Sequence, residues 1–121
     1  AVLGHTLELA QGSDTQVTLD STAFEFLPGV LDYAAMGILP AGVYRNRRYA
    51  EAEVSIADSV PLAVADVLFD PQTSGGLLFS VHLDDADALE AALKAASPAV
   101  PAVQRIGAVG AYEGSSRVIV R

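Results

Sequence analysis

The sequence predicts an α+β or α/β sandwich built on one sheet core, and three observations carry the prediction. Segments that alternate polar and apolar residues are interleaved with segments of helical spacing, giving about four or five strands among the helices. At 121 residues the chain has the length of one domain, and its 51% hydrophobic content is enough to bury a core. No repeat, low-complexity tract or charged tail breaks this pattern.

Leu3, Leu7 and Ala10 fall at i, i+4 and i+7, the spacing of one helix face, and Gly12 is placed to end that helix. No capping residue precedes its apolar periodicity, so the chain is expected to open inside an element and to be a fragment of a longer protein. Gln16–Asp20 alternates as a half-buried strand does, and Asp20-Ser21-Thr22 is turn chemistry. Pro28 suits the first turn of a helix running to about Met36, with Gly37 as its stop. Pro40-Ala41-Gly42 marks a loop, and residues 43–57 are expected to be extended or irregular. Val60–Leu68 reads as a helix with Pro61 in its first turn. Leu77–Val81 reads as a buried strand, and Asp84 or Asp85 as the cap of a helix over Ala86–Ala96. After a Pro-containing connection at Ser97–Pro101, Gln104–Tyr112 and Arg117–Arg121 read as strands joined by the turn Glu113–Ser116.

Composition excludes several kinds of function. A net charge of −8 argues against nucleic acid and against anionic membrane surfaces, both of which need a basic face. No apolar run is long enough to span a bilayer. The absence of cysteine removes disulfides, thiolate metal sites and cysteine nucleophiles, and fits a cytoplasmic setting. With two histidines and no Ser-His-Asp order or paired carboxylates, a self-contained active site is not expected, so no catalytic residue is assigned.

The densest signal is the run Asp70-Pro71-Gln72-Thr73-Ser74-Gly75-Gly76-Leu77-Leu78. Gly75 and Gly76 allow positive φ and close approach to the main chain, and Thr73 and Ser74 add two hydroxyls. Exposed N–H groups in such a turn could cradle an anion, although no lysine follows as in a P-loop. Taken alone, the run is better explained as a β-turn leading into a strand. Arg45, Arg47 and Arg48 cluster in a chain with only seven basic residues. Such guanidinium groups could bind phosphate in bidentate geometry, or pair with Glu51 and Glu53 on a solvated surface, and the sequence supports both equally. His5 and Glu8, one helical turn apart, could share a metal, but a packed histidine explains them better because no third ligand is near. Asp58, Asp66 and Asp70 could hold Mg2+, but a solvated acidic face is the commoner outcome. No residue is assigned to a metal.

DPQTSGGLL resembles the signature of the C-terminal domain in the selenophosphate synthetase (selenide, water dikinase) family, part of the superfamily that includes aminoimidazole ribonucleotide synthetase. Two further stretches agree, in the same order. Leu3-Gly4-His5 with Leu7–Ala10 is similar to the family's LLGH…LLEMA. Leu27-Pro28-Gly29 through Gly37–Asn46 is similar to its LPG…AGIVPGGTxRN, with Ala41 in place of a glycine and Val43 in place of a threonine. The resemblance implies a mixed β-sheet layered with helices, aminoimidazole ribonucleotide synthetase C-terminal-domain-like and partly ferredoxin-like. It implies that residues 1–121 are one domain of an enzyme that makes selenophosphate from selenide, ATP and water, releasing AMP and phosphate. The catalytic Cys or selenocysteine, the nearby Lys and most Mg2+-binding aspartates then belong to an N-terminal half absent from this sequence. ATP and Mg2+ would be cofactors of the whole enzyme, with its own N-terminal domain, a homodimer partner and small-molecule phosphates as partners. Alone, the chain would be catalytically silent. Arg45, Asn46, Thr73, Ser74, Gly75 and Gly76 would be its ligand-facing residues. The alternatives are the same domain of another superfamily member, such as aminoimidazole ribonucleotide synthetase or a hydrogenase maturation protein, and a non-catalytic binding module.

Overall fold

A computed structural model describes residues 1–96, 100 and 102–121. The expected connection at Ser97–Pro101 therefore lies, apart from Val100, outside the described residues. The fold is α+β, a mixed four-stranded sheet with five helices. In chain order these are α1 (Val2–Ser13), β1 (Thr15–Leu19), a 3-10 turn (Ser21–Ala23), α2 (Val30–Ala35), α3 (Ala41–Ala50), β2 (Val54–Ile56), α4 (Leu62–Leu68), α5 (Leu83–Ala95), β3 (Gly107–Ala111) and β4 (Val118–Val120).

The sheet order is β2-β4-β1-β3. β1 pairs antiparallel with β3 and parallel with β4, which pairs parallel with β2. β3 and β4 are therefore not a hairpin. The turn Glu113–Ser116 carries the chain across the end of β1 to its other side. Gln16 Nε2 donates to Ser116 O at 2.7 Å to hold the crossing, and Arg117 lies 3.7 Å over the Tyr112 ring while pairing with Asp14 at 2.8 Å.

Alternation sets the buried face. Register places Val54, Val118 and Val17 in one row across three strands, and Ile56, Val120 and Leu19 in the next. Leu3, Leu7 and Ala10 of α1 are all buried against this face, as their spacing requires. Val43 and Ala50 of α3, and Val64, Ala65 and Leu68 of α4 with Phe69 beyond it, complete the core. Each large side chain withdrawn from water here contributes roughly 1.5–3 kcal/mol.

Four expectations need correction. Residues 41–50 form α3 and not a loop followed by extended chain, because Pro40 opens the helix and Val43 and Ala50 lie on one buried face. Asp14 ends α1, in left-handed conformation at φ 52°, with Gly12 still inside the helix. The cap of α5 is His82, whose Nδ1 accepts from the Asp84 N–H at 3.3 Å, and Asp84 and Asp85 occupy the first turn. Leu77–Val81 belongs to no ladder and is exposed throughout. A strand needs a paired edge, and neither outer edge of the sheet, on β2 or on β3, pairs with this run. The helix expected from Pro28 is shorter, beginning after Gly29, but Gly37 does follow its end at φ 75°.

Candidate functional site

Three elements converge on one cleft. α1 contributes one wall through His5 and Glu8, one turn apart, with His5 Nδ1 3.3 Å from Glu8 Oε2. α3 contributes Asn46 and Tyr49, and the segment after α4 contributes Pro71 and Thr73. The cleft is open on one side and holds about 200 Å³, which suits a small polar ligand or one end of a larger one.

Backbone and packing fix these walls relative to one another. Gly42 is buried, and a Cβ there would lie 2.6 Å from Pro71 Cγ. The absent side chain thus lets α3 sit against the proline of the Asp70–Leu78 run. Asn46 Nδ2 donates to Phe69 O at 2.8 Å, and the Ala1 nitrogen donates to Gln72 O at 3.0 Å. Both bonds hold the chain entering the turn, so α1 and α3 clamp residues 69–72.

Beneath the clamp lies an ion pair. Asp66, on α4, is buried at 8% exposure and accepts from Arg47 Nη2. The guanidinium carbon of Arg47 also sits 5.0 Å from the Phe69 ring centroid. Arg47 therefore pairs with neither Glu51 nor Glu53, and neither expectation for it holds. Asp66 is neutralised by a cation and cannot serve a metal as a free carboxylate. Sequence reasoning missed this pair. The one available signal was a lone Asp on the buried side of an apolar helix, which demands a cation.

The candidate residues divide. Asn46 and Thr73 line the cleft. Arg45 is exposed on the outer side of α3, with Arg48 one turn away, and neither makes an ion pair among the described residues. Ser74, Gly75 and Gly76 are exposed beyond the cleft. Gly75 has φ 130°, where a side chain is strained, and a Cβ at either glycine would meet nothing within 4 Å. The space above this turn is open to an incoming group. Tyr49 was not anticipated; its hydroxyl adds a donor or acceptor to the cleft, which then offers imidazole, carboxylate, amide and two hydroxyls. Among the described residues, no three His, Cys, Asp or Glu gather closely enough to hold a metal. No described helix is long and apolar enough to cross a membrane.

No protein-family model matches the chain. Curated proteins do. The chain is 43% identical over 88 residues to a selenide, water dikinase of Clostridioides difficile, covering 73% of the chain and 25% of that protein. It is 38% identical over 121 residues to the selenide, water dikinase of Nitratidesulfovibrio vulgaris strain DP4, covering 98% of the chain and 33% of that protein. It is 37% identical over 118 residues to selenide, water dikinase 2 of Peptoclostridium acidaminophilum, with the same two coverages of 98% and 33%. The chain thus spans a quarter to a third of the length of these relatives.

Proposed function

We propose that this chain, which belongs to the selenide, water dikinase family, is the C-terminal domain of a selenophosphate synthetase and forms one wall of its nucleotide and phosphate site. The observation that carries the reading is convergence. The three separate stretches that resemble the family, residues 3–10, 27–46 and 70–78, each supply lining residues to a single cleft: Gly4, His5 and Glu8 from the first, Asn46 from the second, Pro71 and Thr73 from the third.

The chemistry assigned to the parent is ATP-dependent transfer of a phosphoryl group to selenide, with AMP and phosphate released. Phosphoryl transfer is governed by positioning and electrostatic stabilisation more than by covalent work from the protein. The residues here suit the positioning part. The Thr73 and Tyr49 hydroxyls can donate to a phosphoryl oxygen, and the Asn46 amide holds the turn in place with one N–H on Phe69 O, leaving its second N–H for the cleft. The open space over Gly75 and Gly76 lets a ligand approach the main chain, and Arg45 lies on the outer face of the same helix as Asn46. Walls of this kind also exclude water from the reacting groups. The donor set does not fit Mg2+: the cleft's one carboxylate, Glu8, faces an imidazole, and Asp66 is bound to Arg47. No step is therefore routed through a metal held by this chain.

Two measurements test the reading. The purified chain should release no AMP from ATP, with or without selenide. Titration with inorganic phosphate, followed by amide NMR shifts, should move residues 4–8, 46–49 and 72–76. Shifts confined to other residues, or none up to tens of millimolar, would remove the phosphate-wall assignment.

A further inference from the structure

Gly42 is not explained by the helix that carries it. It lies in the first turn of α3 and is buried, with no positive φ to require a glycine. Glycine within a helix is less stable than alanine by roughly 0.5–1 kcal/mol. The start of α3 also accepts a side chain: the similar family stretch has two glycines here, and in this chain Ala41 fills the first position, exposed to solvent.

Space explains Gly42. A Cβ at this position would lie 2.6 Å from Pro71 Cγ, 3.1 Å from its Cβ and 3.4 Å from its Cδ. Carbon atoms in contact sit about 3.5–4.0 Å apart, so α3 and Pro71 would have to separate by roughly 1 Å. The pyrrolidine ring cannot rotate aside, because it is closed onto its own backbone nitrogen. The bare Cα on one family-like stretch and the ring on another therefore fit as socket and knob.

The two sides of this contact are not equally free to yield. α3 is held from within: Val43 and Ala50 are fully buried, and Arg47 is paired with Asp66 and lies 5.0 Å from the Phe69 ring centroid. Pro71 is exposed. Its neighbours close around it as one unit, since the Gln72 N–H donates to Asp70 O at 2.7 Å and Gln72 Nε2 donates to Asp70 Oδ2 at 2.5 Å. The first of these bonds is an i to i+2 turn centred on the proline. A push on the ring is thus passed to Gln72 and on to Thr73, which lines the cleft together with Pro71.

We infer that Gly42 is a positioning residue of the cleft: its bare Cα seats Pro71, and the seated proline sets where the Thr73 hydroxyl stands. The task assigned to that hydroxyl rests on the phosphate-wall reading above, whereas the contact does not. Of the two family-like glycine positions, only 42 has this role, because Ala41 faces solvent. A displacement of roughly 1 Å matters at such a site, since groups that orient a ligand act within tolerances of that size.

Four variants of the chain test this: Gly42→Ala, Pro71→Ala, the two combined, and Ala41→Gly. Each is followed by amide NMR, urea unfolding and titration with inorganic phosphate. Gly42→Ala should move the resonances of residues 72–74 while Val17 and Val118 in the sheet stay in place. It should weaken phosphate binding about fivefold, the equivalent of one neutral hydrogen bond. Pro71→Ala removes the Cγ and Cδ that the new methyl group would meet. The combined variant should therefore match Pro71→Ala alone in stability, in the resonances of 72–74 and, within twofold, in phosphate affinity. Ala41→Gly should leave residues 72–74 unmoved. In the unmodified chain, NOEs should connect the Gly42 α-protons to the Pro71 ring. Their absence would overturn the inference. So would Gly42→Ala shifts that run along α3 and spare 72–74, or a combined variant no better than Gly42→Ala. If Gly42→Ala alone does not fold, the combined variant must fold, and its failure would equally overturn the inference. An unmodified chain that binds no phosphate would remove the phosphate wall, while the shift and rescue comparisons still decide the contact.

Discussion

Replacing Asp66 with alanine is expected to cost about 2 kcal/mol of stability. The Asp66 side chain is 12% exposed and that of its partner, Arg47, 32%. Removing one member of a fully buried ion pair costs about 3–5 kcal/mol, because an uncompensated charge remains in the interior. Removing one member of an exposed pair costs about 0–1 kcal/mol. Arg47 lies between these limits: part of its guanidinium can hydrate, and the Phe69 ring retains some of the attraction. For a chain of 121 residues, about 2 kcal/mol corresponds to a fall in Tm of roughly 8 °C. Urea unfolding followed by far-ultraviolet circular dichroism measures the change. A double-mutant cycle with Arg47→Ala isolates the pair and should return a coupling of about 1 kcal/mol or more. If Asp66→Ala lies within about 0.5 kcal/mol of the unmodified chain, the pair does not hold α3 on α4 and the clamp on residues 69–72 must rest on other contacts.

Two more outcomes follow from the same structure. Gly107→Ala should destabilise the chain by about 1–3 kcal/mol, the usual cost of overpacking, because a Cβ there would overlap Thr18 O and approach Leu19 Cα to 3.1 Å; a melting temperature unchanged from the parent would refute that close approach. Asp20 should titrate below its ordinary carboxylate value, because the Thr22 hydroxyl and backbone N–H hold its charged form. A lowered folded-state pKa adds stability above the unfolded value and loses it as pH falls through the folded one. Carboxyl NMR titration should therefore place Asp20 low, and Thr22→Val should raise it.

What the sequence revealed depends on how local the cause is. The buried face of α1 was readable because Leu3, Leu7 and Ala10 satisfy a local period, and β1 was readable from its alternation. α3 was hidden because only Val43 and Ala50 mark its inner apolar face among arginines, while Gly42 looked like a loop. Its actual role, contact with Pro71, lies 29 positions away and has no local signature. The Leu77–Val81 run was correctly seen as apolar and wrongly given a place in the sheet, since pattern records what a segment could bury and not which edge is free. Of the residues that the family-like stretches singled out, Asn46 and Thr73 line the cleft. The stretches did not reveal that Arg45 turns outward while Arg47 turns in, a consequence of the helix that carries both.

The strand order also bears on how the chain acquires its shape. β4 lies between β2 and β1, yet it is the last of the four to be synthesised, and its flank is sealed when the Arg121 N–H donates to Leu19 O. Until Val118–Val120 arrive, β2 has no neighbour in the sheet and β1 can pair on one side only. The pairings of β1 span about a hundred residues of sequence, as the 100-residue separation of Gln16 and Ser116 illustrates. Long-range pairing of this kind incurs loop-closure entropy before any contact compensates it, which slows folding. The middle of the sheet can therefore close only after Val118–Val120 have been made.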